Sequence, residues 1–258
     1  MSYRFSFSGI DGSGKSTTID KVSTALANEG NIVVHIRRCS WVDIEGKDRE
    51  YIATKVNGFF DLLHGWTDDR RYRSLVGIVN IGYSVAQRMM EKYAKSHFNP
   101  DIVLVGRYSN LDPFAYSAFY FPFVRNLSPK QRMQVVSFLH RGASSDMVFY
   151  FDVDPLVAYE RILQRIEREQ MYGTKDRAKW PHMHENPDDL KFLQEQFEIS
   201  LELLVKENGT NIVRIDATTP PEDVVQEILS NISRVTNSTR RKLSLPKEKY
   251  LGAAKQTV

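Results

Sequence analysis

At 258 residues, with 41% hydrophobic and 26% charged side chains, the chain has the size and balance of one α/β domain. Its net charge of +3 is concentrated at one end: residues 237–258 carry six basic side chains against Glu248, leaving the first 236 residues at −2. That distribution argues against a nucleic-acid polymer as docking partner. A single cysteine, Cys39, permits no internal disulfide and suggests a reducing compartment. No apolar run reaches the roughly 18 residues of a membrane span, and the strand pattern from Phe5 leaves no space for a signal peptide. The expected location is cytoplasmic.

Tyr3 to Ser8 reads as a buried strand that stops at Gly9. Ile19, Val22, Ala25 and Leu26 then recur at helical spacing from Lys15, and Gly30 supplies a stop. A second strand is predicted over 31–37, and helices over 49–63 and 69–95. The next strand covers 101–105; an aromatic helix follows from Leu111, and Ser128-Pro129 opens another as N-cap and first helical residue. A strand over 147–151 leads into a helix over 156–170. Residues 171–186 break the pattern with Gly173, Pro181 and several charges. A helix over 187–206, a strand over 211–215 and a helix over 221–235 complete the domain, leaving 237–258 as a flexible basic tail. Strands alternating with helices predict a three-layer α/β/α fold with a mostly five-stranded parallel sheet.

The run Gly9-Ile10-Asp11-Gly12-Ser13-Gly14-Lys15-Ser16 matches G-x-x-x-x-G-K-[ST], with an apolar strand before it and an amphipathic helix after it. Each residue type has a reason. Gly9, Gly12 and Gly14 let the backbone take positive φ and approach phosphates closely. The amides of Ser13 to Thr17 face an anion at the helix N-terminus. Lys15 reaches the β- and γ-phosphates of ATP, and Ser16 offers a hydroxyl to Mg²⁺. This signature identifies a nucleotide-phosphate site. A guanine-reading Asn/Thr-Lys-x-Asp run is lacking: Thr174-Lys175-Asp176 has its acid one position early. The Asp-Glu pair after an apolar strand expected of motor ATPases is also lacking. A small-molecule kinase of the P-loop class remains.

The phosphate loop, Gly106-Arg107-Tyr108 after a strand, Ala115-Tyr116, Phe151-Asp152-Val153-Asp154-Pro155 with Arg161 and Arg165, and Arg214-Ile215-Asp216-Ala217 together resemble the thymidylate kinase family. The resemblance spans residues 3 to about 233. It implies transfer of the γ-phosphoryl of Mg·ATP to a nucleoside 5′-monophosphate, with dTMP as the first expectation, and a homodimer. It also implies roles. Asp11 faces the acceptor sugar, Arg107 holds the acceptor phosphate, and Tyr116 lines the base pocket, with Asn80 and Tyr83 near the base-reading positions. Arg161 and Ala217 fall on the adenine side. Because Gly12 stands where one branch of the family has arginine, the catalytic arginine is expected in the lid, about 165–186, with Arg165, Arg168 and Arg177 as candidates.

One departure concerns charge. The acid that precedes the motif's arginine is Gly106 here, so Asp152, at the neighbouring strand end, is the candidate carboxylate for Mg²⁺ beside Ser16. Asp152 and Asp154 before Pro155 equally fit as caps of the next helix, and both readings stay open. His182 and His184 lack a metal-binding framework and read as loop residues. Two other functions stay open: a deoxynucleoside kinase acting on a 5′-hydroxyl, and a nucleotide-binding regulator that has lost catalysis. The first wants a carboxylate base near the second strand, where Asp43 and Glu45 come late; the second is suggested by Gly106.

Overall fold

A computed structural model describes residues 2–37, 40–42, 73–107, 110–139, 144–171 and 184–244. In chain order the elements are β1 (Tyr3–Ser8), α1 (Lys15–Asn28), β2 (Val33–Arg37), β3 (Ser40–Val42), α2 (Arg73–Phe98), β4 (Ile102–Val105), α3 (Leu111–Tyr120), a 3-10 turn (Pro122–Asn126), α4 (Pro129–Leu139), β5 (Met147–Asp152), α5 (Pro155–Met171), α6 (Pro187–Asn208), β6 (Ile212–Asp216) and α7 (Pro221–Ser244). The sheet order is β3-β2-β4-β1-β5-β6. The expected five parallel strands are present, and β3 adds an antiparallel edge, pairing Ile36 with Trp41. Three residues are too few to show a period, so β3 was not foreseeable from pattern.

Strand alternation sorts the core. Val34, Ile36, Val103 and Val105 pack against Ala94, Met90 and Phe98 of α2. Ile102 and Leu104, one residue out of step, join Phe5, Phe7, Phe149 and the α1 residues Ile19, Val22 and Leu26. Phe5 and Phe7 are wholly buried, each worth about 2–3 kcal/mol of hydrophobic transfer. Arg4 faces the other way and is also buried. Its Nε donates to Glu91 Oε1 on α2 at 2.9 Å, and Nη1 donates to the Ser6 and Ser145 hydroxyls. A charge inside a sheet is tolerable only when paired in this way.

Local signals set several boundaries. Ser128 and Gln131 form a reciprocal capping box: Gln131 N donates to Ser128 Oγ, and Ser128 N donates to Gln131 Oε1. Asn186 caps α6 through Asp189 N, and Gly209 ends it in the left-handed region. Pro122 follows the end of α3.

α7 departs from expectation by continuing to Ser244, so the first part of the supposed flexible tail is helical. Residues 237–244 lack apolar periodicity, but they also lack Gly and Pro. Residues 245–258, the helix expected over 49–63, and lid residues 172–183 lie outside the described residues.

Candidate active site

β1 sits between β4 and β5, so its C-terminal end delivers the glycine loop beside Gly106 on one side and Asp152 on the other. Open parallel sheets bind ligands at this edge. Gly9 and Gly12 are required twice over. Their φ values are +141° and +82°, and a Cβ would lie 2.6 Å from Phe151 O and 2.2 Å from Ala158 O respectively. Gly14, at φ +87°, starts α1 with no side-chain cap and no acid in the first turn, leaving the helix's positive end to an anion.

Lys15 Nζ donates to the carbonyls of Gly9 and Ile10, both at 2.7 Å, and to Ser13 Oγ at 3.1 Å. The ammonium is thus folded onto its own loop. Burial pushes its pKa below the usual lysine value; Arg107 and Arg165 push the same way, against Asp11 and Asp112. The charges of Arg107, from the β4–α3 connection, and of Arg165, from α5, are thus felt at Lys15 on α1. Ser13 is buried under the loop, whereas Ser16 and Thr17 are exposed at the start of α1.

Asp11 is the hub of the loop. Its Oδ2 accepts from Tyr116 OH at 3.1 Å and from His184 Nε2 at 2.8 Å. Burial alone would raise the carboxyl's pKa, but His184, then Lys15 and Arg107, hold it well below the usual carboxylate range. His184 Nδ1 lies 3.1 Å from Tyr120 OH, and its ring meets Tyr116 edge-on at 5.5 Å. The Arg107 guanidinium sits 5.2 Å over the Tyr116 ring. Next to this group is a cavity of about 460 Å³, lined in part by Asn80, Ile81, Arg107, Asp112, Tyr116 and Tyr120. That volume suits a mononucleotide-sized ligand.

No family model matches the chain. It is 28% identical to the thymidylate kinase of Geobacillus thermodenitrificans over 241 residues, covering 92% of this chain and 93% of that one. It is 26% identical to the thymidylate kinase of Bacillus pumilus over 238 residues, covering 92% and 95%. The chain is thus similar to thymidylate kinases over nearly its whole length. Its backbone also matches a solved structure of deoxyadenosine kinase from M. mycoides, with a TM-score of 0.55 at 18% identity, over 90% of this chain and 99% of that chain. That likeness establishes the shared P-loop kinase fold.

Against that background, the residues singled out from sequence fall into groups. Gly9 through Thr17 form one continuous loop and helix start. Arg107, Tyr116 and Asn80 line the cavity, and Asp11 reaches it through its hydrogen bond from Tyr116. Arg161 Nη2 donates to Ala217 O at 2.9 Å, joining the two expected adenine-side residues. Arg165 Nη2 donates to buried Glu185 at 2.8 Å and lies near enough to Lys15 for its charge to be felt there. Arg168 stands apart: its Nε donates to Gln164 O within α5, and it is exposed. Asp152 faces β6 and α6, with Oδ1 accepting from Gln194 at 3.1 Å and Oδ2 from Arg214 at 3.4 Å. Tyr83 lies on α2, but its side chain is outside the described ones, as are Tyr108 and Arg177.

Sequence reasoning missed His184, Glu185, Tyr120 and Asp112. His184 was read as a loop residue; it is instead hydrogen-bonded into the phosphate loop. Its only local signal is its place just before the Asn186 cap, which anchors it to α6. Asp112 hides in the first turn of α3, where an acid is ordinary. Among the described residues, no three His, Cys, Asp or Glu side chains cluster as a self-sufficient metal cage. Mg²⁺ needs none: it takes one or two hard oxygen donors beside phosphates and water. The Ser16 hydroxyl and the carboxylates around the loop fit that requirement.

Proposed function

We propose that this chain transfers the γ-phosphoryl group of ATP to a nucleoside 5′-monophosphate, with dTMP as the first acceptor. The carrying observation is that Lys15 lies folded on a glycine loop whose Asp11 accepts from Tyr116, with Arg107 over that ring at the cavity. Phosphoryl transfer asks for positioning and for cations placed around the equatorial oxygens, and this arrangement suits both. The nearly full-length similarity to thymidylate kinases supports the same reading.

In this scheme Lys15 leaves the Gly9 and Ile10 carbonyls to meet the β- and γ-phosphates, while the amides from Gly14 to Thr17 hold the rest of the triphosphate. Ser16 carries the magnesium bound with ATP, which neutralises phosphate charge. Arg161 and Ala217 border the adenine. Arg107 holds the acceptor's phosphate, Asp11 and Tyr116 its sugar, and Asn80 and Tyr83 its base. Arg165 is the lid arginine at the transferring group, and Arg168, on the exposed side of α5, approaches only if the lid closes.

Exposed Leu75, Ile78, Val85 and Met89 make an apolar stripe along α2. Such a stripe fits the homodimer implied by the family resemblance; sedimentation equilibrium giving a monomer at all concentrations would refute that part. Among the described residues no helix is long and apolar enough to cross a membrane, in keeping with a cytoplasmic reaction drawing on the ATP pool.

The test is ADP release from purified protein given Mg·ATP and a panel of nucleosides and nucleoside monophosphates. Turnover with dTMP or other monophosphates alone is expected. Turnover restricted to nucleosides would establish a deoxynucleoside kinase instead, and ATP binding without turnover a regulator.

A further inference from the structure

The strands flanking β1 end unequally: β5 on Asp152, β4 just before Gly106. Asp152 is engaged by Gln194 and Arg214 on the far side, and Asp11 is engaged by His184 and Tyr116. Among the described residues, Asp112 is a further carboxylate near the loop, and it too is engaged. It is 4% exposed, yet it borders the cavity together with Arg107. Its Oδ2 accepts from Ser8 Oγ at 2.6 Å, and Ser8 is the residue immediately before the loop's first glycine. Its charge also acts on both Lys15 and Arg107, favouring their protonated forms. A carboxylate this deeply buried is costly unless cations and donors face it. These do, and they are the same groups that would surround the transferring phosphates.

We propose that Asp112 is the carboxylate that holds the magnesium of the bound nucleotide, through the ion's hydration shell, on the side where β4 ends without an acid. This rests on the phosphotransferase reading given above. The chemistry matches: Mg²⁺ keeps several waters and recruits few carboxylates. A hydroxyl clamp on one carboxylate oxygen is the kind of supporting contact that orients such a group. Gly106 offers an internal control. A Cβ there would meet only Ile19 Cδ1 at 3.8 Å and Ile36 O at 3.9 Å, and its φ is not positive, so an acid can be built at that strand end without strain.

The experiment is calorimetric titration of the full chain with the β,γ-imido analogue of ATP, in EDTA and across a magnesium series. If the native chain takes up no magnesium nucleotide, the phosphotransferase reading itself fails, and the assignment of Asp112 with it. If it does, Asp112→Asn, which keeps an oxygen for Ser8, should leave affinity in EDTA within about twofold of native and raise the magnesium half-saturation 10- to 100-fold. Gly106→Asp in the Asp112→Asn background should recover most of that loss. A folded Asp112→Asn protein with native magnesium dependence overturns the assignment. So does an equal loss with and without magnesium, or a magnesium effect seen in Asp152→Asn alone. Should Asp112→Asn not fold, Ser8→Ala releases the clamp while keeping the charge. It should shift the half-saturation in the same direction, and an unchanged value overturns the proposal.

Discussion

His184 Nε2 lies 2.8 Å from Asp11 Oδ2, joining the start of α6 to the middle of the phosphate loop across 173 residues of chain. Tyr116 closes the arrangement from α3, so the carboxylate expected to meet the acceptor is already aimed and ionised. A hydrogen bond to a charged partner contributes about 1.5–3 kcal/mol, and 1.36 kcal/mol is a factor of ten. His184→Ala should therefore raise the acceptor KM about tenfold or more, with a smaller change in the KM for ATP, in steady-state kinetics. A fall in acceptor KM would mean that His184 obstructs the site instead of ordering it.

Lys15→Ala removes the cation proposed to meet the transferring phosphates, and the bonds it gives up are those to the Gly9 and Ile10 carbonyls and to Ser13 Oγ. Loss of one such donor typically costs 10²–10³ in kcat. A drop of at least that size, with the circular-dichroism melting curve within a few degrees of native, is the expected outcome.

Arg107 belongs to the cavity side of the site, over Tyr116. Arg107→Ala should raise the acceptor KM far more than the ATP KM. Equal damage to both, measured by varying each substrate in turn, would move Arg107 from the acceptor to the shared phosphate centre.

Gly12→Ala combines a disfavoured φ with a Cβ 2.2 Å from Ala158 O. The loop must shift against α5. A cost of about 1–3 kcal/mol from the backbone alone, and loss of nucleotide binding, should appear in denaturant titration and calorimetry. Gly14→Ala meets nothing within 4 Å, so its cost should come from φ only and be the smaller of the two.

Glu91 carries the pH-dependent prediction for stability. Burial would raise its pKa, but Arg4, with Lys95 beside it, holds it below the usual value. A carboxylate with a depressed folded pKa contributes stability that is fully present above its unfolded value and is lost as pH falls through the folded one. Glu91→Gln leaves Arg4 buried without its counter-charge, a change of about 3 kcal/mol. Urea unfolding should show that deficit from pH 7 down to about 5, shrinking below the ordinary glutamate value of roughly 4.3. A deficit that stays constant down to pH 3 would show that packing, not charge, is lost.

The amino-acid sequence by itself determined the features whose causes lie within a few residues. The phosphate loop needs three glycines, a lysine and a serine in one run, the capping box needs Ser128 and Gln131 three apart, and the strand–helix alternation implies a parallel sheet. The family resemblance put Arg161 and Ala217 on one side of the site, but the 2.9 Å contact between them comes from the fold. Tertiary structure decided the rest: His184 on Asp11, Asp112 under Ser8 across 104 residues, Arg4 on Glu91, and the antiparallel edge β3. These pairings depend on which strand end faces which helix turn. No local propensity encodes that, because a histidine before a cap or an acid in a first helical turn costs the same whether or not a distant partner arrives. Packing the helices onto both faces of the sheet brings those partners within hydrogen-bond distance, and only then do their charges become part of a site.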